Sequence, residues 1–154
     1  MGCDIHLFAE KRVNGKWENL NKFTKNKDYD QNDNDFGERE FEIKREDRFY
    51  TGGRNYNLFC ALAGARSFEF INEPKIVSPP RGIPNDCCEE IRNEIESMGS
   101  DGHTHSYLYL YDLECFDWSE YGETCDDFLL EVMPKMIATG SSDEDVRIVF
   151  FFDN

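Results

Sequence analysis

Val146-Arg147-Ile148-Val149-Phe150-Phe151-Phe152 is a nearly unbroken apolar run close to the end of the 154-residue chain. A half-buried strand alternates polar and apolar positions, so a run of this kind reads as a strand buried on both faces, at the centre of a sheet. At the other end of the chain, Cys3 to Lys11 alternates cleanly. Cys3, Ile5, Leu7 and Ala9 fall on one face and Asp4, His6, Phe8 and Glu10 on the other. The first and last strands are therefore expected side by side in the middle of the sheet. Asn14-Gly15 marks a hairpin, with a return strand around Lys16 to Leu20.

The segments between these strands carry helical spacing. Tyr56, Leu58, Phe59, Leu62 and Ala63 predict a short buried helix from Asn55, stopped by Gly64. Asn85 or Asp86 is a suitable N-cap for a second helix, with Cys88, Ile91, Ile95 and Met98 inward and Glu89, Glu90, Arg92 and Glu94 on the solvated side. Ser100 to Thr104 reads as a polar turn, and His105 to Tyr111 as a strand or a strand leading into a helix. Thr124 to Ile137 is a third helix, in which Pro134 predicts a kink or an early stop. Ser78 to Pro84 is an extended Pro-rich loop. Residues 21–47, and Lys25 to Gly37 above all, are rich in Asn, Asp and Lys and read as an acidic exposed loop. It reads as an insertion more than a linker. The expected class is α+β: one compact domain over residues 1–154, a small mixed sheet with helices packed on it.

Thirty-two acidic side chains against 17 basic ones give a formal net charge of −15. That balance argues against broad contact with DNA, RNA or anionic lipid. It permits a local Arg-lined pocket for a small anion, and equally an acidic decoy for a basic partner. The six Cys form no CxxC pair, and no secretory signal or membrane-length apolar run is evident. Reduced thiols in the cytoplasm and no membrane partner are the expectation, with homo-oligomerisation left open. Met1-Gly2-Cys3 hints at lipidation, but His6 stands where a myristoylation signal wants Ser or Thr. Cys87-Cys88 reads as packing at a helix start.

All three histidines lie beside an aspartate, in Asp4-Ile5-His6 and Asp101-Gly102-His103-Thr104-His105. On an extended chain i and i+2 share a face, so Asp4 points with His6, and Asp101 with His103 and His105. Carboxylate and imidazole together suit a divalent Zn, Mn, Fe or Ni ion, which activates a bound water. A metal-free polar site is a second reading. A third is structural: turn-capping histidines and a surface pair at a strand end. Arg54-Asn55-Tyr56, following Gly52-Gly53, and Arg81-Gly82 form a second constellation. Their Arg forks fit phosphate or carboxylate, or else pair with surplus acids of the chain.

The opening Met1-Gly2-Cys3-Asp4-Ile5-His6 resembles that of a family of small, mostly bacteriophage-encoded proteins of uncharacterised function. So do Gly53 to Phe59, the Pro80-Arg81-Gly82-Ile83-Pro84 loop, Ser100 to Tyr107, and the close Arg147 to Asn154. The resemblance implies that Asp4, His6, Arg54, Asn55, Arg81, Asp101, His103, His105, Asp153 and Asn154 recur. It implies a job in an infected bacterium's cytoplasm, in nucleotide metabolism or in countering host defence. The leading expectation is a metal-dependent phosphodiesterase acting on a small nucleotide or cyclic-nucleotide signal. Asp4, His6, Asp101, His103 and His105 would hold the metal, Asp153 and His105 would act in catalysis, and Arg54, Asn55, Tyr56 and Arg81 would bind the ligand. The alternatives are a non-catalytic protein that sequesters a nucleotide, and an acidic decoy that inhibits a nucleic-acid-binding protein.

Overall fold

The computed structural model describes residues 2–32 and 39–154. The chain runs through strands β1 (Asp4–Val13), β2 (Lys16–Asn19), β3 (Thr24–Lys25) and β4 (Phe41–Glu42), helices α1 (Tyr56–Ala63) and α2 (Glu89–Met98), strand β5 (Gly102–Tyr109), helices α3 (Leu110–Cys115) and α4 (Asp126–Ile137), and strand β6 (Val146–Asp153). The main sheet has the order β2-β1-β6-β5. The terminal strands are thus central and adjacent, as the two patterns of side chains require. Every pairing is antiparallel, so the architecture is the expected α+β while the sheet itself is not mixed.

β6 is buried along its length up to Phe152 because helices cover both faces. On one face Leu7, Ala9, Ile148, Phe150 and Phe152 pack with α1 and α4. On the other, Phe8, Val149 and Phe151 pack under Ile91 and Ile95 of α2. Asn14 and Gly15 both adopt positive φ, 52° and 78°, the geometry that lets a two-residue turn follow the twist of β1 and β2. Asn55 caps α1 by accepting the Leu58 N–H, and Gly64 closes it in the left-handed region.

Four local expectations are corrected. α2 is not capped by Asn85 or Asp86: it starts after Cys88, whose N–H is accepted by the Glu10 carboxylate of β1. Asp86 instead binds Arg147 and the Trp17 indole N–H. β5 begins at Gly102, earlier than expected, and ends at Tyr109, where the Asp112 carboxylate accepts the Tyr109 N–H and starts α3. α4 continues through Pro134 to Ile137. The carbonyl four residues back belongs to Leu130, which is 77% exposed, so solvent can take the bond that proline cannot make. Residues 21–47 hold more structure than a bare loop: β3 pairs with β4, and Asn21 is buried, bonding Ala9 through its side chain. Residues 33–38 of that expected loop lie outside the described residues.

The polar member of the apolar run, Arg147, is 1% exposed. Its guanidinium reaches Glu10 at 2.7 Å and Asp86 at 2.8 Å and lies 3.8 Å from the Trp17 ring centre. A buried charge is tolerable only with such partners. No helix among the described residues is long and apolar enough to cross a membrane.

Candidate functional site

The register brings the two Asp/His clusters to one end of the sheet: Asp4 lies opposite Asp153 on one side of β6, and Gly102 lies opposite Asp153 on the other. The side chains then diverge. His6 donates its Nε2–H to the Asp153 carboxylate at 2.7 Å. This bond fixes the ring's tautomer and leaves Nδ1 with the lone pair that can accept a proton. The His6 ring also stacks on Phe151, with centres 4.9 Å apart. His105 stacks against the same phenyl ring at 5.2 Å, so Phe151 stands between two imidazoles. Burial, and then the nearby charge of His103, hold His105 below the usual imidazole range.

His103 goes elsewhere. Between His103 and Ser106 the pairing of β5 with β6 slips, and Thr104 adopts φ 55°. That bulge breaks the i, i+2 rule on which the expected shared face of Asp101, His103 and His105 rested. The His103 ring sits beside Phe152, on the opposite face of the sheet from Phe151. It donates Nε2–H to Asn154 Oδ1 at 3.2 Å and bonds the Thr104 hydroxyl through Nδ1 at 2.9 Å. Asp101 lies in the 3₁₀ turn that precedes β5 and is exposed.

Asp4 is held by Arg54, whose Nε and Nη2 donate to its two oxygens at 2.8 and 3.1 Å. This bidentate pair pulls the Asp4 carboxyl below its ordinary value. Gly2 is what admits it, because a Cβ there would come within 1.9 Å of Arg54 Nη1. Arg81 is engaged in the same manner by Asp112, at 2.7 and 3.0 Å. Burial raises the Asp112 carboxyl, and the bonds from Arg81 and the Tyr109 N–H outweigh it, so the group lies below its usual range. Asn55 is spent on the α1 cap and on Thr124 and Asp127. Tyr56 accepts the Cys3 N–H and carries Arg66 over its ring. The two arginines thus serve separate ion pairs and do not converge.

For a divalent metal the donors do not fit as one set. Asp4 is committed to Arg54, His6 Nε2 to Asp153, and His103 faces the other side of the sheet. Among the described residues no group of three or more His, Cys, Asp or Glu side chains is placed to hold a metal ion.

What sequence reasoning missed is the cleft into which His6 opens. It measures about 200 Å³ and is lined also by Arg39, Glu42, Arg48, Tyr50 and Glu94. Glu94, read as a solvated helix position, has its side chain only 14% exposed. One of its oxygens pairs with Arg39, and the other, Oε1, is buried with no partner among the described residues. Arg48 is exposed at the rim, close enough to Asp4 to lower its carboxyl further. The only sequence signal was a segment of balanced charge, residues 39–48, where Arg39, Lys44, Arg45 and Arg48 stand against Glu40, Glu42, Glu46 and Asp47 in a chain whose formal net charge is −15. Compared with protein-family models, curated proteins and solved structures, the chain matches none.

Proposed function

We propose that the chain binds a small phosphate-bearing molecule of the nucleotide class in the His6 cleft. The observation that carries this reading is one cleft that brings together exposed Arg48, which makes no side-chain hydrogen bond or ion pair among the described residues, the His6 ring held by Asp153, and the Glu94 carboxylate. Arginine forks suit phosphate oxygens. The carboxylates on the same wall, Glu42 and Glu94, can accept from the hydroxyls of a ribose. A sugar phosphate presents both at once. The cleft takes that part of the ligand, with the base projecting outward.

A second reading, hydrolysis of the bound phosphodiester, is favoured by one observation: Asp153 holds His6 in a single tautomer at the cleft wall. Such an imidazole can take a proton from an attacking water or hydroxyl. Isothermal titration with nucleoside phosphates and cyclic nucleotides, followed by chromatography of the recovered ligand, separates the two readings. Binding that weakens in Arg48→Ala and Glu94→Gln is expected, with intact ligand for a binder and product for a hydrolase. No binding at millimolar ligand, or binding indifferent to both changes, would sink the site. A near-stoichiometric transition metal in tag-free protein would return the case to the metal-dependent phosphodiesterase.

A further inference from the structure

Three non-glycine residues among the described ones have left-handed backbone: Asn14, Arg66 and Thr104. Asn14 belongs to the hairpin turn and needs no further account. Arg66 and Thr104 come from distant parts of the chain, yet both border one hollow of about 570 Å³ on the face of the sheet opposite His6. Strained backbone held in place by its surroundings collects at ligand sites, and a threonine with positive φ is a true outlier.

The hollow has an aromatic wall and a polar wall. On one side the Arg66 guanidinium lies between Tyr56 and Phe68, 4.4 and 5.0 Å from the two ring centres. Arg66 is also ion-paired with Glu69, so it brings no net charge to the hollow, and its guanidinium faces are taken up by the two rings it supports. Phe68 is 77% exposed, leaving most of its ring uncovered. On the other side His103, Thr104 and Asn154 form one hydrogen-bonded chain. Asn154 Oδ1 is used in accepting from His103, which leaves the Asn154 amide hydrogens to donate. Buried Cys3 also lines the hollow.

We infer that this hollow is a second ligand site, for a planar nitrogen heterocycle of the nucleobase kind that presents an acceptor edge. The uncovered Phe68 ring can take such a heterocycle by stacking, and the Asn154 side-chain amide can read its edge. A phosphate is not what this site selects, because its arginine is already neutralised by Glu69. The inference stands independently of the reading of the His6 cleft.

The test is a titration of the ¹⁵N-labelled full chain with adenosine, guanosine, cytidine and uridine, uncharged probes that lack a phosphate. At least one nucleoside should shift the backbone amides of Arg66 and Thr104 and the side-chain amide of Asn154. Phe68→Ala, a change at an exposed position that leaves the fold intact, should weaken that nucleoside roughly tenfold or more, as loss of a stacking ring does. His6→Ala should leave its affinity unchanged. The inference is overturned if no nucleoside moves those three signals at millimolar concentration. It is overturned too if Phe68→Ala binds as tightly as the parent, or if His6→Ala abolishes the shifts.

Discussion

His6 and Asp153 join the first strand to the last by a 2.7 Å side-chain bond, made diagonally across the ladder in which His6 itself lies opposite Phe151. Asp153 therefore sets which imidazole nitrogen carries the proton. Asp153→Asn offers an amide that can donate as well as accept, so the His6 tautomer should shift from Nε2–H towards Nδ1–H. Long-range ¹H–¹⁵N spectra of the imidazoles read this directly. A double-mutant cycle with His6→Ala should give a coupling of about 1 kcal/mol, the size of one partly exposed hydrogen bond. An unchanged tautomer with zero coupling would mean the pair is not formed in solution.

A harsher effect is expected at Arg147. With Glu10 and Arg147 both buried, Arg147→Met leaves a carboxylate in the core without its cation, which costs on the order of 3–5 kcal/mol. Glu10→Gln together with Arg147→Met removes both charges and should recover part of that loss. Urea unfolding of the single and double variants checks this. Equal destabilisation in both would show that packing against Trp17, and not charge, sets the cost.

These two pairs mark how far the sequence could be read. The central placement of β1 and β6 was legible because burial on two faces leaves no room for polar alternation, and Asn14-Gly15 and Gly64 announced their turns by the φ values they tolerate. The site was legible only in part. The adjacency of the first and last strands placed His6 beside the end of β6, but the i, i+2 spacing that grouped Asp101, His103 and His105 on one face failed at the bulge at Thr104, which sent His103 to the opposite face, and nothing in Gly102-His103-Thr104-His105 signals that slip in register. Asp86 looked like a cap because capping is local, whereas its actual partner, Arg147, is 61 residues away. Glu94 looked solvated because its neighbours on α2 are, while Arg39 is what draws it inward.

Thr104 should itself be a measurable point of strain. A β-branched residue in the left-handed region costs roughly 1–2 kcal/mol, and asparagine bears that conformation far better. Thr104→Asn keeps a polar side chain beside His103 and should raise stability by about 0.5–1 kcal/mol. Denaturant unfolding decides the matter. A variant less stable than the parent would show that the Thr104–His103 bond outweighs the backbone cost.

The pH dependence of stability should carry a signature of His105. Burial, and after it the charge of His103, hold this imidazole below its ordinary value. In the unfolded chain a histidine titrates near about 6.5. As pH falls through that value the unfolded state takes up a proton that folded His105 refuses, so folding becomes less favourable. The decline stops below the folded-state value, where both states are protonated. At neutral pH and above, the full contribution is present. Asp4, Asp86 and Asp117, each held below the ordinary carboxyl value by a hydrogen-bonding partner, lose their contributions only in a separate, more acid window, below about 3.9. Urea midpoints measured from pH 7.5 to pH 5 should fall in the parent and fall less steeply in His105→Gln. Parallel slopes in the two proteins would mean that His105 is as free to protonate in the folded chain as in the unfolded one, and that its place against Phe151 is more open than the stacked geometry implies.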